Sequence, residues 1–152
     1  MGLAEQLFGL KIYLDTAPFI YFVERNKDYL KTVRPVFEGI DAGKIEAITS
    51  TITLLEVLVH PFRKNNAILV KKYREILLYS EGVTTFEILN EISEIASELR
   101  AKYSIKTPDA LQISTAIFHG ADIFLTNDAM LKKIKGIDVI VLDDLIRHVR
   151  LA

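Results

Sequence analysis

Apolar residues follow two alternating patterns along the chain: short continuous runs, and longer stretches in which they recur every three or four positions. Short apolar runs are typical of strands buried on both faces of a sheet. We predict strands at residues 11–14, 46–49, 83–86, 122–126 and 138–142. Strands that alternate with helical stretches predict a three-layer α/β fold with a mostly parallel central sheet flanked by helices.

The longer stretches predict helices. Residues 30–42 carry one apolar face, and Gly43 ends that helix. Pro61 is expected to close a helix that begins at residue 51, because proline interrupts helical hydrogen bonding. The remaining helices are predicted around Pro18, at residues 67–80, from after residue 86 to about 102, from Thr107 to near Gly120, at residues 128–133, and after residue 142.

Length and composition narrow the class of protein. The 152 residues predict a single domain over residues 1–152. A formal net charge of -1 gives no overall basic field for nucleic acid, although a local basic face would be enough. The absence of cysteine excludes disulfides and thiolate metal sites, and three separated histidines disfavour zinc. No apolar run has the length of a membrane span and no signal peptide is evident, so we expect a cytoplasmic protein.

Four acidic residues are the main candidates for chemistry. Asp15, Glu56, Asp109 and Asp128 each lie at the end of a predicted strand or in the helix that follows. A parallel sheet gathers its carboxyl strand ends on one edge, where open α/β sheets bind ligands. Clustered carboxylates repel one another unless a cation lies among them, which indicates Mg²⁺ or Mn²⁺. Asp122 begins its strand on the opposite edge and is expected to take no part.

A simpler explanation exists for three of these acids. Asp15 and Asp128 precede helices, where Asp is a preferred cap, and Asp109 follows a Thr cap and a Pro in a first helical turn. Glu56 lies instead in an almost entirely apolar helix with no Lys or Arg three or four positions away. A buried Glu needs a partner, and His60 or a metal ion are the candidates.

Four segments resemble, in order and spacing, the signature segments of the PIN domain, and most closely those of freestanding VapC-type toxins. These segments are residues 12–16, 51–57, 107–113 and 125–128. The family consists of metal-dependent ribonucleases, so the resemblance implies that Asp15, Glu56, Asp109 and Asp128 form the catalytic, metal-binding quartet. It also implies supporting roles for Thr16, Thr126 and Asn127. Many members carry Asn where this chain has Ala17, which removes one hydrogen bond that would orient Asp15.

The resemblance also implies partners. An RNA substrate is expected, with Arg25, Lys27 and Lys31 as candidate phosphate contacts because they follow Asp15 closely. Tyr21 or Phe22 could stack on a base, although aromatic residues at helical spacing usually belong to a core. The segment 61–79 carries more apolar residues than one helical stripe buries. In the family that the chain resembles, a helical arm near this position takes part in homodimerisation and in binding the antitoxin, so the resemblance implies a homodimer and a cognate antitoxin.

Other functions stay open. The same fold serves nucleases of RNA processing and PIN-like interaction modules of low activity. A phosphatase of the haloacid dehalogenase type also begins with an Asp after its first strand, but it requires a second Asp where Ala17 stands. A non-enzymatic interaction module would leave Glu56 without a role.

Overall fold

A computed structural model describes the backbone of residues 2–151 and the side chains of residues 2–146. Met1 and Ala152, the two ends of the predicted single domain, lie outside the described residues. Within that part of the chain, no helix is both long and apolar enough to cross a membrane.

Five parallel strands form the central sheet, as the alternating pattern predicts. They are β1 (Lys11–Leu14), β2 (Glu46–Ser50), β3 (Val83–Phe86), β4 (Ile123–Thr126) and β5 (Asp138–Val141). The strand order is β3-β2-β1-β4-β5. In the centre of the sheet, Tyr13 of β1 is in register with Ile48 of β2 and with Phe124 of β4.

Helices cover both faces of this sheet. They are α1 (Leu3–Leu7), α2 (Thr16–Val23), α3 (Leu30–Asp41), α4 (Thr51–Arg63), α5 (Ala67–Arg74), α6 (Asn90–Tyr103), α7 (Thr107–Phe118) and α8 (Leu142–Leu151). A π-helical turn, Glu75–Tyr79, continues α5, and a 3₁₀ helix, Ala129–Lys133, follows β4. 

Side chains of successive strand residues point to opposite faces and divide the core in two. Ile12 and Leu14 of β1 are buried in the layer that contains α1 to α5. Tyr13, between them, is buried in the layer of α6 and α7 and stacks on Phe124, with ring centroids 5.1 Å apart. The result is the three-layer arrangement that the sequence predicts.

Two local predictions were wrong. Pro61 does not close α4: it is buried inside that helix, which continues to Arg63. Proline forgoes one helical hydrogen bond there, and the burial of its ring offsets that loss. Thr107 is not a cap but the first residue of α7, and Lys106 holds the cap position without a side-chain hydrogen bond, because its ammonium group has no acceptor to offer.

The sheet topology determines where a site can form. From β1 the chain crosses to β2, whereas from β4 it crosses to β5, on the opposite side of the sheet. Neighbouring strands whose connections leave in opposite directions open a crevice at their carboxyl ends. Asp15 and Asp128 lie directly after the two strands that border this crevice.

Candidate active site

A cleft of about 330 Å³ lies at the carboxyl ends of β1 and β4. The four predicted acids, Asp15, Glu56, Asp109 and Asp128, all line it. Thr16, Ala17, Tyr21, Thr126 and Asn127 are also among its lining residues. Asp122 lies elsewhere, at the amino end of β1, where its Oδ2 accepts a hydrogen bond of 2.8 Å from the Lys11 backbone N–H.

Asp15 is the most deeply buried of the four acids, with only 9% of its surface exposed. It caps α2, because its Oδ1 accepts a hydrogen bond of 2.7 Å from the Thr16 backbone N–H. Its Oδ2 accepts a second bond of 2.7 Å from the Thr126 hydroxyl. The pKa of Asp15 is raised to about 6, chiefly by burial and to a smaller extent by the charges of Asp109 and Glu56, while the two hydrogen bonds act in the opposite direction.

Glu56 reaches the same cleft from α4, and neutral groups hold it there. Its Oε1 accepts hydrogen bonds from the Thr16 hydroxyl at 2.7 Å and from Gln112 Nε2 at 3.1 Å. His60, the candidate partner in its own helix, is exposed and forms no described hydrogen bond with it. Neutral donors orient the carboxylate without cancelling its charge, so Glu56 stays available to a cation.

Gln112 is a site residue that the sequence pattern did not single out. Its Oε1 lies 2.8 Å from the Thr53 hydroxyl and 2.9 Å from the Tyr13 hydroxyl, in the interior of the protein. These contacts orient the amide so that Nε2 faces Glu56, which only accepts hydrogen bonds when ionised. The available signal was its spacing, since Gln112 lies three residues after Asp109, on the same side of α7.

Asp109 and Asp128 complete the acidic lining in different ways. The Asp109 side chain has no hydrogen bond or ion pair within the described part of the chain, and burial, followed by the charges of Asp128 and Glu56, raises its pKa. Asp128 caps the 3₁₀ helix, and its Oδ1 accepts a bond of 3.0 Å from the Met130 backbone N–H. Its own backbone N–H donates to the Thr126 hydroxyl at 3.1 Å.

Asn127 links the cleft to two neighbouring helices. Its Nδ2 donates a hydrogen bond of 2.9 Å to the Tyr21 hydroxyl on α2. Its Oδ1 accepts one of 2.8 Å from the Asp143 backbone N–H at the start of α8. Both ends of the amide are therefore fixed, and the loop after β4 has a defined position beside the acids.

The three basic residues proposed to contact RNA lie away from this cleft. Arg25, Lys27 and Lys31 are exposed, and none of them lines the acidic cavity. Arg25 instead borders a separate cavity of about 460 Å³ together with Lys72. Contact between these residues and RNA stays a prediction.

The cleft has the donor chemistry of a site for a hard divalent cation. Apart from the Tyr21 phenol, its ionisable lining groups are carboxylates, and no Lys or Arg with a described side chain forms an ion pair with any of the four acids. Oxygen ligands of this kind suit Mg²⁺ or Mn²⁺ rather than zinc. As positioned, however, no three Asp, Glu or His side chains among the described residues are close enough to hold one ion together. The carboxylate oxygens are suitable ligands for such an ion, but the side chains have to move closer together to bind it.

An all-parallel sheet with acids at its topological switch point defines an α/β protein with a ligand site at the sheet edge. The sequence matches the PIN domain over residues 12–137. The chain therefore belongs to the PIN domain family of nucleases. A search of curated proteins found no match.

Solved structures of toxin–antitoxin proteins share this fold. A chain of VapBC2 from Rickettsia felis, bound to a DNA fragment from its promoter, has a TM-score of 0.67 and 17% identity, over 87% of this chain and 98% of that chain. A toxin–antitoxin complex from Klebsiella pneumoniae gives 0.65 and 22%, over 86% and 97%. The sarcin-ricin loop cleaving toxin VapC20 from Mycobacterium tuberculosis gives 0.62 and 17%, over 74% and 86%. At these identities the similarity establishes the fold alone.

Proposed function

We propose that this protein is a metal-dependent endoribonuclease of the cytoplasm and the toxin of a toxin–antitoxin pair. One observation carries the proposal: four carboxylates from four separate segments line one cleft, and no described Lys or Arg side chain forms an ion pair with any of them. The charge of Lys106 acts on Asp109, without an ion pair. Such a cluster is unfavourable without a cation, and a protein that keeps it has a use for one. Membership of the PIN domain family supports phosphodiester chemistry.

Asp15, Glu56, Asp109 and Asp128 would hold Mg²⁺ or Mn²⁺. When bound, such an ion supplies positive charge at the phosphate and lowers the pKa of a water molecule. The surrounding residues keep the carboxylates ready for it. The bonds from Thr126 and from the Thr16 backbone favour the ionised form of Asp15. The Thr16 hydroxyl and Gln112 orient the Glu56 carboxylate toward the cleft.

The toxin role is the second part of the proposal. It is supported by the similar folds of toxin–antitoxin structures and by the description of VapC20 as an RNA-cleaving toxin. Exposed apolar side chains on α4, α5 and the π-helical turn offer surface for a second copy and for an antitoxin.

Incubation with total RNA, in Mg²⁺ or in EDTA, followed by mapping of the cut ends, tests the activity. We expect cleavage only with the metal ion. Asp15→Asn and Asp109→Asn should each lower the rate roughly 100-fold or more, since each removes a proposed ligand. Asp122→Asn is the matched control, because it alters the same residue type at the opposite edge of the sheet. Equal rates in all these proteins would refute the site.

Growth separates the toxin from the alternatives. Induced expression of the native chain in a bacterial host should arrest growth, and Asp15→Asn should not. RNA cleavage without growth arrest would favour a nuclease of RNA processing over a toxin. A protein with no cleavage in any metal would favour the interaction module.

A further inference from the structure

An RNA phosphate that enters this cleft meets mostly hydrogen-bond acceptors. Ionised carboxylates donate nothing, and the threonine hydroxyls at the cleft already donate to them: Thr16 to Glu56 and Thr126 to Asp15. A bound cation would neutralise part of the phosphate charge. Phosphate oxygens also require protein hydrogen-bond donors, so the donors that stay uncommitted in this cleft are of interest.

Tyr21 is such a donor. It lines the cleft with the four acids, and its hydroxyl oxygen accepts the Asn127 amide at 2.9 Å. Its own hydroxyl hydrogen has no acceptor within the described part of the chain. A phenol that accepts one bond and still has its hydrogen to donate is suited to an anionic oxygen.

The position of this hydroxyl is fixed before any ligand arrives. The Tyr21 ring stacks on Tyr29, with centroids 4.1 Å apart and planes 9° apart. Asn127, which holds the hydroxyl, is itself held by the Asp143 backbone N–H at 2.8 Å. Tyr29 covers one face of the Tyr21 ring, so a base has only the other face on which to stack. A donor that needs no reorganisation loses little entropy on binding.

We propose that the Tyr21 hydroxyl is a phosphate-binding group of this cleft and donates its hydrogen to a non-bridging oxygen of the bound RNA. The proposal rests on the proposed nuclease function and adds a residue to it. A neutral donor has an advantage over a lysine at this position. An ammonium group would pair with the carboxylates and compete with the cation for them, whereas a phenol leaves their charge intact.

Tyr21→Phe removes the hydroxyl and keeps the ring stack. Tyr29→Phe is the matched control, because it removes a hydroxyl from the other ring of the stack. The Tyr29 hydroxyl donates its hydrogen to Asp143. We would measure single-turnover cleavage of a short RNA in Mg²⁺, and binding of the same RNA in Ca²⁺ by fluorescence anisotropy. A hydrogen bond to a charged group predicts a loss of roughly 10- to 100-fold in Tyr21→Phe. Tyr29→Phe should stay within about threefold of the native chain.

Melting temperature separates binding from a structural role. Tyr21→Phe loses the bond from the Asn127 amide and Tyr29→Phe loses the bond to Asp143, so the two variants should melt alike. Both should show the native upward shift in Mg²⁺, since the carboxylates do not change. Native-like cleavage and binding in Tyr21→Phe overturn the proposal, as does an equal loss in Tyr29→Phe. If the native chain binds RNA without cleaving it, the nuclease function fails, and the Ca²⁺ binding comparison still decides the role of Tyr21. If the native chain does not bind RNA, both fail.

Discussion

Asp15 is buried at the carboxyl end of β1, and no described Lys or Arg side chain pairs with it. Burial is the largest of the causes that raise its pKa from 3.8 to about 6. The folded chain then binds a proton at this carboxyl more tightly than the unfolded chain does. The resulting stabilisation is complete below about pH 4 and is lost as the pH rises through about 6. In the metal-free protein this difference in pKa corresponds to about 3 kcal/mol of unfolding free energy.

Urea unfolding in EDTA across this pH range tests that prediction. The side chain of Asp15→Asn does not titrate in this range. The unfolding free energy of the variant minus that of the native chain should therefore increase by roughly 3 kcal/mol from about pH 4 to pH 8. Added Mg²⁺ should restore the native chain at the higher pH by mass action and leave Asp15→Asn less affected. If the unfolding free energies of the two proteins depend on pH in the same way, ionisation of Asp15 does not destabilise the folded chain and the prediction is wrong.

Gln112 supports a prediction on a neutral residue. Replacement by Leu keeps the volume approximately but removes the Gln112 amide, to which Thr53, Tyr13 and Glu56 each form one hydrogen bond. A buried polar group without its partner costs about 1–3 kcal/mol, so Gln112→Leu should lower the unfolding free energy by that amount and also slow RNA cleavage.

Ser114 provides the control for Gln112 on the same helix. Its hydroxyl is equally buried but has no hydrogen-bond partner within the described chain. Ser114→Ala should therefore leave stability unchanged or slightly improved, because no bond is lost. If the two variants lose similar stability in urea unfolding, the loss in Gln112→Leu comes from packing in α7 and not from the hydrogen-bond network.

At the scale of elements, the strands were the most predictable part of the chain. β1 and β3 have the predicted limits, β2 extends one residue further, β4 begins one residue later and β5 ends one residue earlier. The strands consist mostly of apolar residues and threonine, which suit a buried sheet, so their approximate limits are visible in the sequence. The five residues of α1 are too few to show a helical repeat, and that helix was missed.

The helices departed from prediction where tertiary contacts decide the outcome. Pro61 is tolerated in α4 because its ring is buried, which depends on neighbours distant in sequence. The π-helical turn Glu75–Tyr79 lies inside the single helix predicted at residues 67–80. Five residues of π-helix change the apolar spacing too little to be distinguished from a continuing α-helix.

The sequence pointed to the acids of the cleft and to their threonine partners, Thr16 and Thr126, but not to Gln112. Strand order alone brings Asp15 and Asp128 to neighbouring strand ends. The contact of Gln112 with Glu56 depends instead on how α7 lies against α4, which no local pattern indicates. Arg25 shows the limit of arguing from sequence proximity. The eight residues of α2 separate it from Asp15 by about 12 Å along the helix, enough to place it outside the cleft.

At the scale of the whole molecule, apolar side chains exposed on neighbouring helices call for a partner. On α4, Leu55 and Phe62 are 62% and 61% exposed, and Val59 lies between them on the same side of the helix. Ile68 of α5 is 72% exposed. Leu78 and Tyr79 at the π-helical turn extend the exposed surface. Apolar residues concentrated in this way are typical of an interface, and we propose that a second copy of the chain covers them.

A substitution at Phe62 tests the homodimer. Burial of one such side chain contributes about 1.5–3 kcal/mol, and a buried unpaired carboxylate costs more than that. In a two-fold dimer the change occurs twice, so at least about 3 kcal/mol of association free energy is lost. Phe62→Glu should therefore weaken association by more than about 100-fold. Sedimentation velocity at micromolar concentration should then show a native dimer and a Phe62→Glu monomer.

Met130 provides the matched control for this experiment. It is 66% exposed, much like Phe62, but it lies on the 3₁₀ helix after β4. If exposure alone governed association, Met130→Glu would dissociate the protein as Phe62→Glu does. We expect Met130→Glu to sediment as the native dimer, because its side chain is not part of the α4 and α5 surface. A native chain that is monomeric throughout would leave that surface for the antitoxin, and dimers that persist in Phe62→Glu would place the interface elsewhere.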